Sequence, residues 1–190
     1  MDRIILASGS PRRRQLLEWA EIDFDVFVKE TAETWPAGMP VTDVPVHIAR
    51  NKALAAKQDF APERTILAAD TIVVLEDEII GKPRDREDAI DILSRLAGRR
   101  HEVITGVVIL CGQEEIAFAD RTAVWFHELT SAEIEGYVDR YKPFDKAGAY
   151  AIQEWIGVVG IKGIEGDFYN VMGLPVSRVV RALRQLLLAG

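Results

Sequence analysis

Hydrophobic residues along the chain alternate between a strand-like and a helix-like spacing. Apolar runs and two-residue alternation predict strands over 3–8, 24–28, 65–70, 101–110 and 115–129, and a hairpin over 71–83. Apolar residues spaced three and four apart predict helices over 11–20, 43–58, 86–97, 130–141 and 175–188. The sequence of residues 157–175 is typical of short strands and turns. Strands that alternate with helices, together with long hairpins, are typical of an α/β protein with a mixed sheet.

Residues that favour helix ends stand at the boundaries of these predicted helices. Ser10 suits an N-cap, and proline follows it as the first helical residue. Thr42 and Asp85 are the expected N-caps of the next two helices. Residues 130–133 (TSAE) match a capping box. The last helix carries an apolar stripe, formed by Val176, Val179, Val180, Leu183 and Leu187.

The composition describes an acidic protein with room for a sizeable core. The chain has 190 residues, of which 48% are hydrophobic, so we expect one domain of one or two lobes. The net charge of −7 argues against a general nucleic-acid-binding protein, which usually carries a broad basic surface. The single cysteine, Cys111, excludes an internal disulfide and a cysteine-based zinc cluster.

The sequence also allows a prediction of the cellular compartment of the protein. No apolar run approaches the roughly 20 residues that span a bilayer. Three arginines follow the first apolar run too closely for a signal peptide. We therefore expect a cytoplasmic protein without a membrane partner.

Arg12, Arg13 and Arg14 occupy the first turn of the first predicted helix. Positive charge is unfavourable there, because the N-terminus of a helix is already positive. One interpretation is that the three arginines form a solvated face of the helix. The other is an anion site, since Ser8 and Ser10 can offer donors at the same point and arginine forks match phosphate oxygens. A bound anion would account for the three charges.

Carboxylates are candidates for metal binding and water activation. Asp70 is predicted to end the strand 65–70, where an acid is often delivered to a cleft at the sheet edge, although a turn aspartate gives the same pattern. Glu30 and Glu33 lie in the turn-rich loop 30–40, and alone they resemble solvated loop acids. A polyphosphate held by arginine normally arrives with Mg²⁺, which takes oxygen ligands. A carboxylate would then hold the metal or activate water.

Two lysines and one glutamine complete the candidates. Lys52 lies beside an apolar alanine face of the predicted helix 43–58, and Lys82 follows the predicted hairpin. Each is compatible with an exposed lysine as well as with a ligand-binding residue. Gln153 ends the small-residue segment 148–153 (GAYAIQ), where an amide could read a base edge, although an ordinary turn has the same composition.

Six segments together closely resemble the Maf family of nucleoside triphosphate pyrophosphatases, once named for septum formation. They follow one another in order over about residues 3–185, and they are LASGSPRRRQLL, HIARNKALA, AADTIVVLEDEIIGKPRDREDAIDIL, GRRHEVITGV, FDKAGAYAIQ and GDFYNVMGLPV. The resemblance implies one Maf-like domain over 1–190. Its expected fold is α/β, with an elongated mixed sheet, flanking helices and two lobes around a central cleft, akin to the inosine triphosphatase architecture.

The resemblance also implies a reaction and the residues that perform it. A nucleoside triphosphate is hydrolysed between the α- and β-phosphorus to the monophosphate and pyrophosphate, with Mg²⁺ or Mn²⁺ as the divalent cation. Asp70 is the expected general base, and Glu33 and Asp70 are expected to hold the metal. The residues expected to bind the phosphates are Ser8, Arg12, Arg13, Lys52 and Lys82. A homodimer is also implied.

Gln153 places the chain in the branch that is similar to dTTP/UTP pyrophosphatases. The family often has glycine after this glutamine, whereas Glu154 follows here. Two alternatives stay open, namely the same reaction with 7-methyl-GTP or another base preference, and a non-catalytic nucleotide-binding regulator of cell division. Only the enzyme needs Asp70 and Glu33, and both are present.

Overall fold

The computed structural model of the protein describes residues 3–189, with side chains described for residues 3–186. The described chain forms two compact units. The first contains the residues up to Thr71, 105–120 and those from Gly173 onward, and the second contains 72–104 and 121–172. None of the described helices is long and apolar enough to cross a lipid bilayer.

Strands and helices alternate along most of the described chain. The earlier elements are β1 (Ile4–Leu6), α1 (Pro11–Trp19), β2 (Phe24–Val26), α2 (Val44–Lys57), β3 (Ile66–Leu75), β4 (Glu78–Ile80), α3 (Arg86–Leu96) and β5 (Arg100–Cys111). The later elements are β6 (Glu114–Phe126), α4 (Ser131–Tyr141), a short 3₁₀ helix (Ala147–Ala149), α5 (Trp155–Gly160), β7 (Ile161–Glu165), α6 (Phe168–Met172) and α7 (Val176–Ala189).

The described strands form one seven-stranded mixed sheet. Its order is β2-β1-β3-β5-β6-β7, and β4 pairs with β3 outside this path. Strand β1 is parallel to both neighbours, with Ile5 opposite Asp25 on one side and Ile66 on the other. Strand β4 is antiparallel to β3, and β7 is antiparallel to β6. The α/β fold class with a mixed sheet and flanking helices, which the sequence predicts, is confirmed.

Helix α2 packs on the sheet of the first unit through small residues. Its buried alanines Ala49, Ala53 and Ala56 belong to one apolar cluster with side chains from β1, β3 and β5. A Cβ atom added at Gly106 of β5 would lie 2.2 Å from the backbone of Pro45, so glycine is needed where the helix begins. This close approach fixes the helix that carries Lys52.

Helices and aromatic side chains form the core of the second unit. Helices α3 and α4 pack against each other. The rings of His101, Phe126 and Tyr150 meet edge to face with centroids 5.0–5.4 Å apart. His101 Nε2 and the Tyr150 hydroxyl are joined by a hydrogen bond of 2.8 Å. These contacts anchor the segment that continues to Gln153.

The helix boundaries confirm most of the sequence predictions. Ser10 and Asp85 accept capping hydrogen bonds, and Thr130 forms the predicted capping box. The Thr42 prediction was wrong, because the N-cap of α2 is Asp43. Helices α5 and α6 were not predicted, since six and five residues are too few to show a helical period. The side chain of Leu187 lies outside the described residues.

Candidate active site

Asp70 lies inside strand β3 and not at its end. The sequence predicts a strand that stops at Asp70, but β3 continues without a break from Ile66 to Leu75. The prediction was wrong because a polar residue does not by itself end a strand, and the β-branched and apolar residues after Asp70 continue it. The residue is 8% exposed. Its carboxylate is therefore held by a rigid strand and not by a turn.

The ammonium of Lys52 joins two carboxylates. Its Nζ donates to Oδ1 of Asp70 and to Oε1 of Glu33, each at 2.7 Å. The side chains of Lys52 and Asp70 are 17% and 12% exposed, whereas that of Glu33 is 46% exposed. The inner pair is therefore less screened by water than an ordinary surface pair. Three of the candidate residues thus come together from α2, β3 and the loop before α2.

The start of helix α1 has the geometry that the sequence predicts. Oγ of Ser10 accepts from the backbone amide of Arg13 at 3.5 Å, and Pro11 is the first helical residue. Oγ of Ser8 accepts from the backbone amide of Ser10 at 3.3 Å. Ser8 is itself buried, so the strand-turn-helix connection is tightly fixed.

The guanidinium of Arg13 is buried and bonded within the first unit. Its Nε donates to the carbonyl of Gly173 at 2.8 Å, and its Nη1 and Nη2 donate to the hydroxyls of Ser8 and Thr71 at 3.0 Å each. These bonds use three of its five N–H donors. Burial lowers the pKa of Arg13, while the negative charge of Asp70 acts in the opposite direction. The sequence indicates an arginine that disfavours its helix, but here it also ties three segments together.

Two of the three partners of Arg13, Thr71 and Gly173, are not predicted from the sequence. Oγ1 of Thr71 lies 2.9 Å from Oγ1 of Thr105, which is fully buried. Gly173 has a φ of 118°, a left-handed conformation that favours glycine. One available signal is that both threonines interrupt apolar strand patterns, where a hydroxyl needs a hydrogen-bond partner. The position of Gly173 has no comparable signal, because only the folded chain brings it to the arginine.

The remaining candidates lie in two places. Arg12 is half-buried, and its positive charge acts on Arg13, so it belongs to the same cationic group. Lys82 and Gln153 are exposed and belong to the second unit. In that unit the amide of Gly148 donates to the carbonyl of Gly81 at 3.1 Å, which joins the two segments that carry them.

Glu33 and Asp70 fit a divalent cation through the chemistry of their donors. Their oxygens converge on one cationic atom, Nζ of Lys52, at equal distances of 2.7 Å. Carboxylate oxygens are the ligands that Mg²⁺ and Mn²⁺ prefer. The described residues contain no cluster of three or more His, Cys, Asp or Glu side chains suited to a metal. Mg²⁺ in proteins usually keeps several waters and is held by only one or two carboxylates.

Curated relatives match almost the whole chain. A protein of Cytophaga hutchinsonii is 51% identical over 183 residues, which are 96% of this chain and 84% of that protein. A protein of Parabacteroides distasonis is 45% identical, over 96% of this chain and 95% of its own length. A Bacillus cereus protein is also 45% identical, over 97% and 96% of the two chains. All three are named dTTP/UTP pyrophosphatase.

A solved structure and a family model complete the comparison. The structure of the Staphylococcus aureus Ham1 protein matches with a TM-score of 0.50 and 15% identity, over 67% of this chain and 73% of that protein, and supports the fold alone. The family model described as Maf-like protein matches residues 3–186, which contain every candidate residue discussed above. With this match, and with a relative that is 51% identical over most of both proteins, the chain belongs to the Maf-like protein family.

Proposed function

We propose that the protein is a nucleoside triphosphate pyrophosphatase that hydrolyses dTTP and UTP to the monophosphate and pyrophosphate. The single observation that carries this proposal is the group formed by Glu33, Lys52 and Asp70, which sets two carboxylates around one ammonium. The arginine-rich start of α1 belongs to the same unit. The names of the curated relatives support the same activity and the same bases.

The cationic residues bind and neutralise the triphosphate in this proposal. Ser8 and Arg12 bind phosphate oxygens at the start of α1, where helix amides and arginine forks both favour anions. Arg13 contributes a fixed positive charge and its remaining N–H donors. Lys52 and Lys82 contact the triphosphate as well. Neutralising the phosphate charge lowers the repulsion that an incoming water oxygen meets.

Asp70 is the general base. It takes a proton from water while the water oxygen bonds to the α-phosphorus. The bond from that phosphorus to the bridging oxygen breaks, and the electron pair leaves with pyrophosphate. Because β3 holds the Asp70 carboxylate rigidly, this group needs to move little before it accepts the proton. Without a bound cation, Lys52 orients Asp70 through their hydrogen bond of 2.7 Å.

Glu33 and Asp70 would hold the divalent cation, Mg²⁺ or Mn²⁺. Bound there, it would supply further neutralisation of the phosphate oxygens. Since Lys52 contacts both carboxylates, it would give up at least one of these bonds if Glu33 and Asp70 held the cation. The released ammonium is then available to a phosphate group.

Gln153 reads the base. A glutamine amide offers one acceptor and two donors. It can therefore pair at once with a carbonyl and the N3–H of thymine or uracil, whereas cytosine presents an acceptor at N3 and an amino group at C4. A site built on hydrogen bonds rejects a mismatched edge strongly, because buried polar groups are left unpaired. Replacing Gln153 with Leu should reduce the preference for dTTP and UTP more than it weakens triphosphate binding.

The proposal includes the setting of the reaction. The substrate is a free nucleotide and not a nucleic acid, in keeping with the net charge of −7. The protein acts as a homodimer in the cytoplasm. Gel filtration with light scattering would test the dimer, and a mass of one chain at working concentration would contradict it.

Product analysis tests the reaction. UTP and dTTP are incubated with Mg²⁺ or Mn²⁺, and the nucleotides are separated by anion exchange while pyrophosphate and orthophosphate are measured separately. We expect equal amounts of monophosphate and pyrophosphate, with no diphosphate nucleotide. Release of orthophosphate with a nucleoside diphosphate would contradict the proposed cleavage site. Tight binding without any product would contradict the proposed activity.

A further inference from the structure

Gln153 is the exposed residue of a short turn whose ends are both fixed. The backbone amide of Glu154 donates to the carbonyl of Ala151 at 3.1 Å and closes the turn. Ala151 and Ile152 are buried. A Cβ atom added at Gly157 of α5 would lie 1.7 Å from the carbonyl oxygen of Ile152, so the helix passes directly against the turn. The backbone on each side of Gln153 is therefore held by the second unit.

A single buried hydroxyl bonds both ends of this turn. The side chain of Tyr137 comes from α4 and is 1% exposed. Its hydroxyl accepts from the backbone amide of Ala151 at 3.2 Å and donates to Oε2 of Glu154. Burial, followed by the hydrogen bond and charge of Glu154, raises the pKa of Tyr137. The hydroxyl therefore keeps its proton and remains a donor to Glu154 at any physiological pH.

The carboxylate of Glu154 is engaged on its second side too. Its Oε1 lies 3.6 Å from Nζ of Lys146, which also donates to Asp145 at 2.8 Å. The side chain of Lys146 is only 10% exposed. The charge of Glu154 is thus balanced inside the unit by a hydroxyl and an ammonium.

We propose that Tyr137 and Glu154 are positioning residues for base selection, which hold the turn 151–154 so that the Gln153 amide meets the base in one orientation. This inference rests on the proposed function, in which Gln153 reads the base. A fixed amide pairs with the carbonyl and N3–H of uracil and leaves cytosine mismatched. An amide on a loosened turn can reorient and accept cytosine as well. Neither Tyr137 nor Glu154 needs to touch the nucleotide.

The test compares kcat/KM for UTP and for CTP in a set of matched variants. Tyr137→Phe keeps the ring, which stacks on Tyr141 with centroids 4.9 Å apart, and removes only the hydroxyl. Tyr141→Phe is the control, because it removes a hydroxyl from the adjacent stacked ring. Glu154→Ala removes the carboxylate, and Glu154→Gln keeps an oxygen that can accept from Tyr137. Melting temperatures are recorded for every variant.

We expect Tyr137→Phe and Glu154→Ala to lower the UTP/CTP ratio by about tenfold, since small displacements of a positioned group cost one to two orders of magnitude. Most of the change should be a gain or retention of CTP turnover and a loss of UTP turnover. Tyr141→Phe should keep the parent ratio, and Glu154→Gln should recover most of it. A loss of stability alone would lower both rates together and leave the ratio unchanged.

The outcomes separate this inference from the proposed function. A parent protein that is selective for UTP, with the same ratio in Tyr137→Phe and Glu154→Ala, would overturn the positioning role and leave the base-reading role of Gln153 intact. A parent ratio near one would overturn the base-reading role and the positioning role together. If Tyr137→Phe does not fold, the pair Glu154→Ala and Glu154→Gln decides the matter, because an equal ratio in both overturns the proposal.

Discussion

Nζ of Lys52 lies 2.7 Å from Oδ1 of Asp70, and at the same distance it reaches Oε1 of Glu33. The lysine therefore occupies the point at which two carboxylates converge. In the proposed function the same two carboxylates would also hold a divalent cation. Lys52 and the metal are thus expected to exchange places during substrate binding.

Replacing Lys52 with Met should have opposite effects on metal binding and on turnover. Without the ammonium, Mn²⁺ should bind more tightly in the absence of nucleotide, because both carboxylates become available. The rate of pyrophosphate release should fall about 10²-fold, the usual loss when one charge-stabilising group is removed. Electron paramagnetic resonance of Mn²⁺ and steady-state kinetics would measure the two effects.

Lys57→Met is the matched control for that variant. Lys57 belongs to the same helix, and its Nζ donates to the carbonyl of Gly112 at 2.6 Å, away from the carboxylate pair. It should change neither Mn²⁺ binding nor the rate by more than about twofold. Unchanged Mn²⁺ binding and normal turnover in Lys52→Met would contradict the exchange.

Asp70→Asn keeps the shape of the side chain and removes its basic oxygen. Loss of a general base typically costs 10²- to 10⁴-fold, so we expect a rate lower by at least about 10²-fold. Nucleotide should still bind, because the phosphate contacts come from other residues. Titration calorimetry separates binding from turnover. Near-normal turnover would eliminate Asp70 as the base and leave Glu33 as the next carboxylate to test.

Arg13→Lys should destabilise the fold. The three acceptors of the guanidinium lie on Ser8, Thr71 and Gly173, and a single ammonium cannot reproduce a rigid fork. Leaving a buried partner unpaired costs about 1–3 kcal/mol, so the free energy of unfolding should fall by at least this amount. The sequence alone predicts no such loss, since lysine keeps the positive charge that disfavours the helix start.

Denaturant unfolding without ligand measures the effect of this variant. Arg14→Lys provides the comparison from the same helical turn, where the guanidinium makes a longer bond of 3.4 Å to the carbonyl of Gly9. An Arg13→Lys variant as stable as the parent would show that the buried bonds contribute little.

Buried His101 should make the fold sensitive to mild acid. Its burial, followed by the charge of Arg100, lowers the pKa from 6.5 to about 4. As pH falls from about 6.5 to 4, the unfolded chain takes up a proton that the folded chain refuses, so stability decreases across this window. The full loss is reached near pH 4 and amounts to about 3 kcal/mol.

Unfolding free energies of the parent and of His101→Gln between pH 7 and pH 4 test that contribution. The glutamine amide can still bond the Tyr150 hydroxyl, and the variant should lose less stability as the pH falls. His127→Gln, which replaces an exposed histidine, should follow the parent. Parallel curves for parent and His101→Gln would assign the acid sensitivity to other groups.

The sequence predicts the elements whose signal is local. The capping box at Thr130, the N-cap Ser10 and the alternation of strands and helices follow from neighbouring residues, and the structure has all three. The burial of Arg13 could not be predicted in this way. Its partners Thr71 and Gly173 are 58 and 160 residues away along the chain. Such contacts depend on topology and not on local spacing.

The candidate site shows the same difference between what the sequence predicts and what depends on the fold. The residue types of the carboxylates and Lys52 follow from the sequence, but their convergence on one ammonium depends on how α2 packs beside β3. Glu154 is the clearest case. The sequence predicts no role for it, and only the structure identifies its bond with Tyr137.

Pyrophosphate release from a panel of nucleotides tests the central claim most directly. The parent and Asp70→Asn are given dTTP, UTP, CTP, GTP, ITP and 7-methyl-GTP at equal concentrations, with Mg²⁺ or Mn²⁺, and kcat/KM is measured for each. We predict that dTTP and UTP are hydrolysed well above the others and at similar rates, and that Asp70→Asn releases at least about 10²-fold less pyrophosphate from each. No release from any nucleotide, or the highest kcat/KM with 7-methyl-GTP or another purine, would contradict the account.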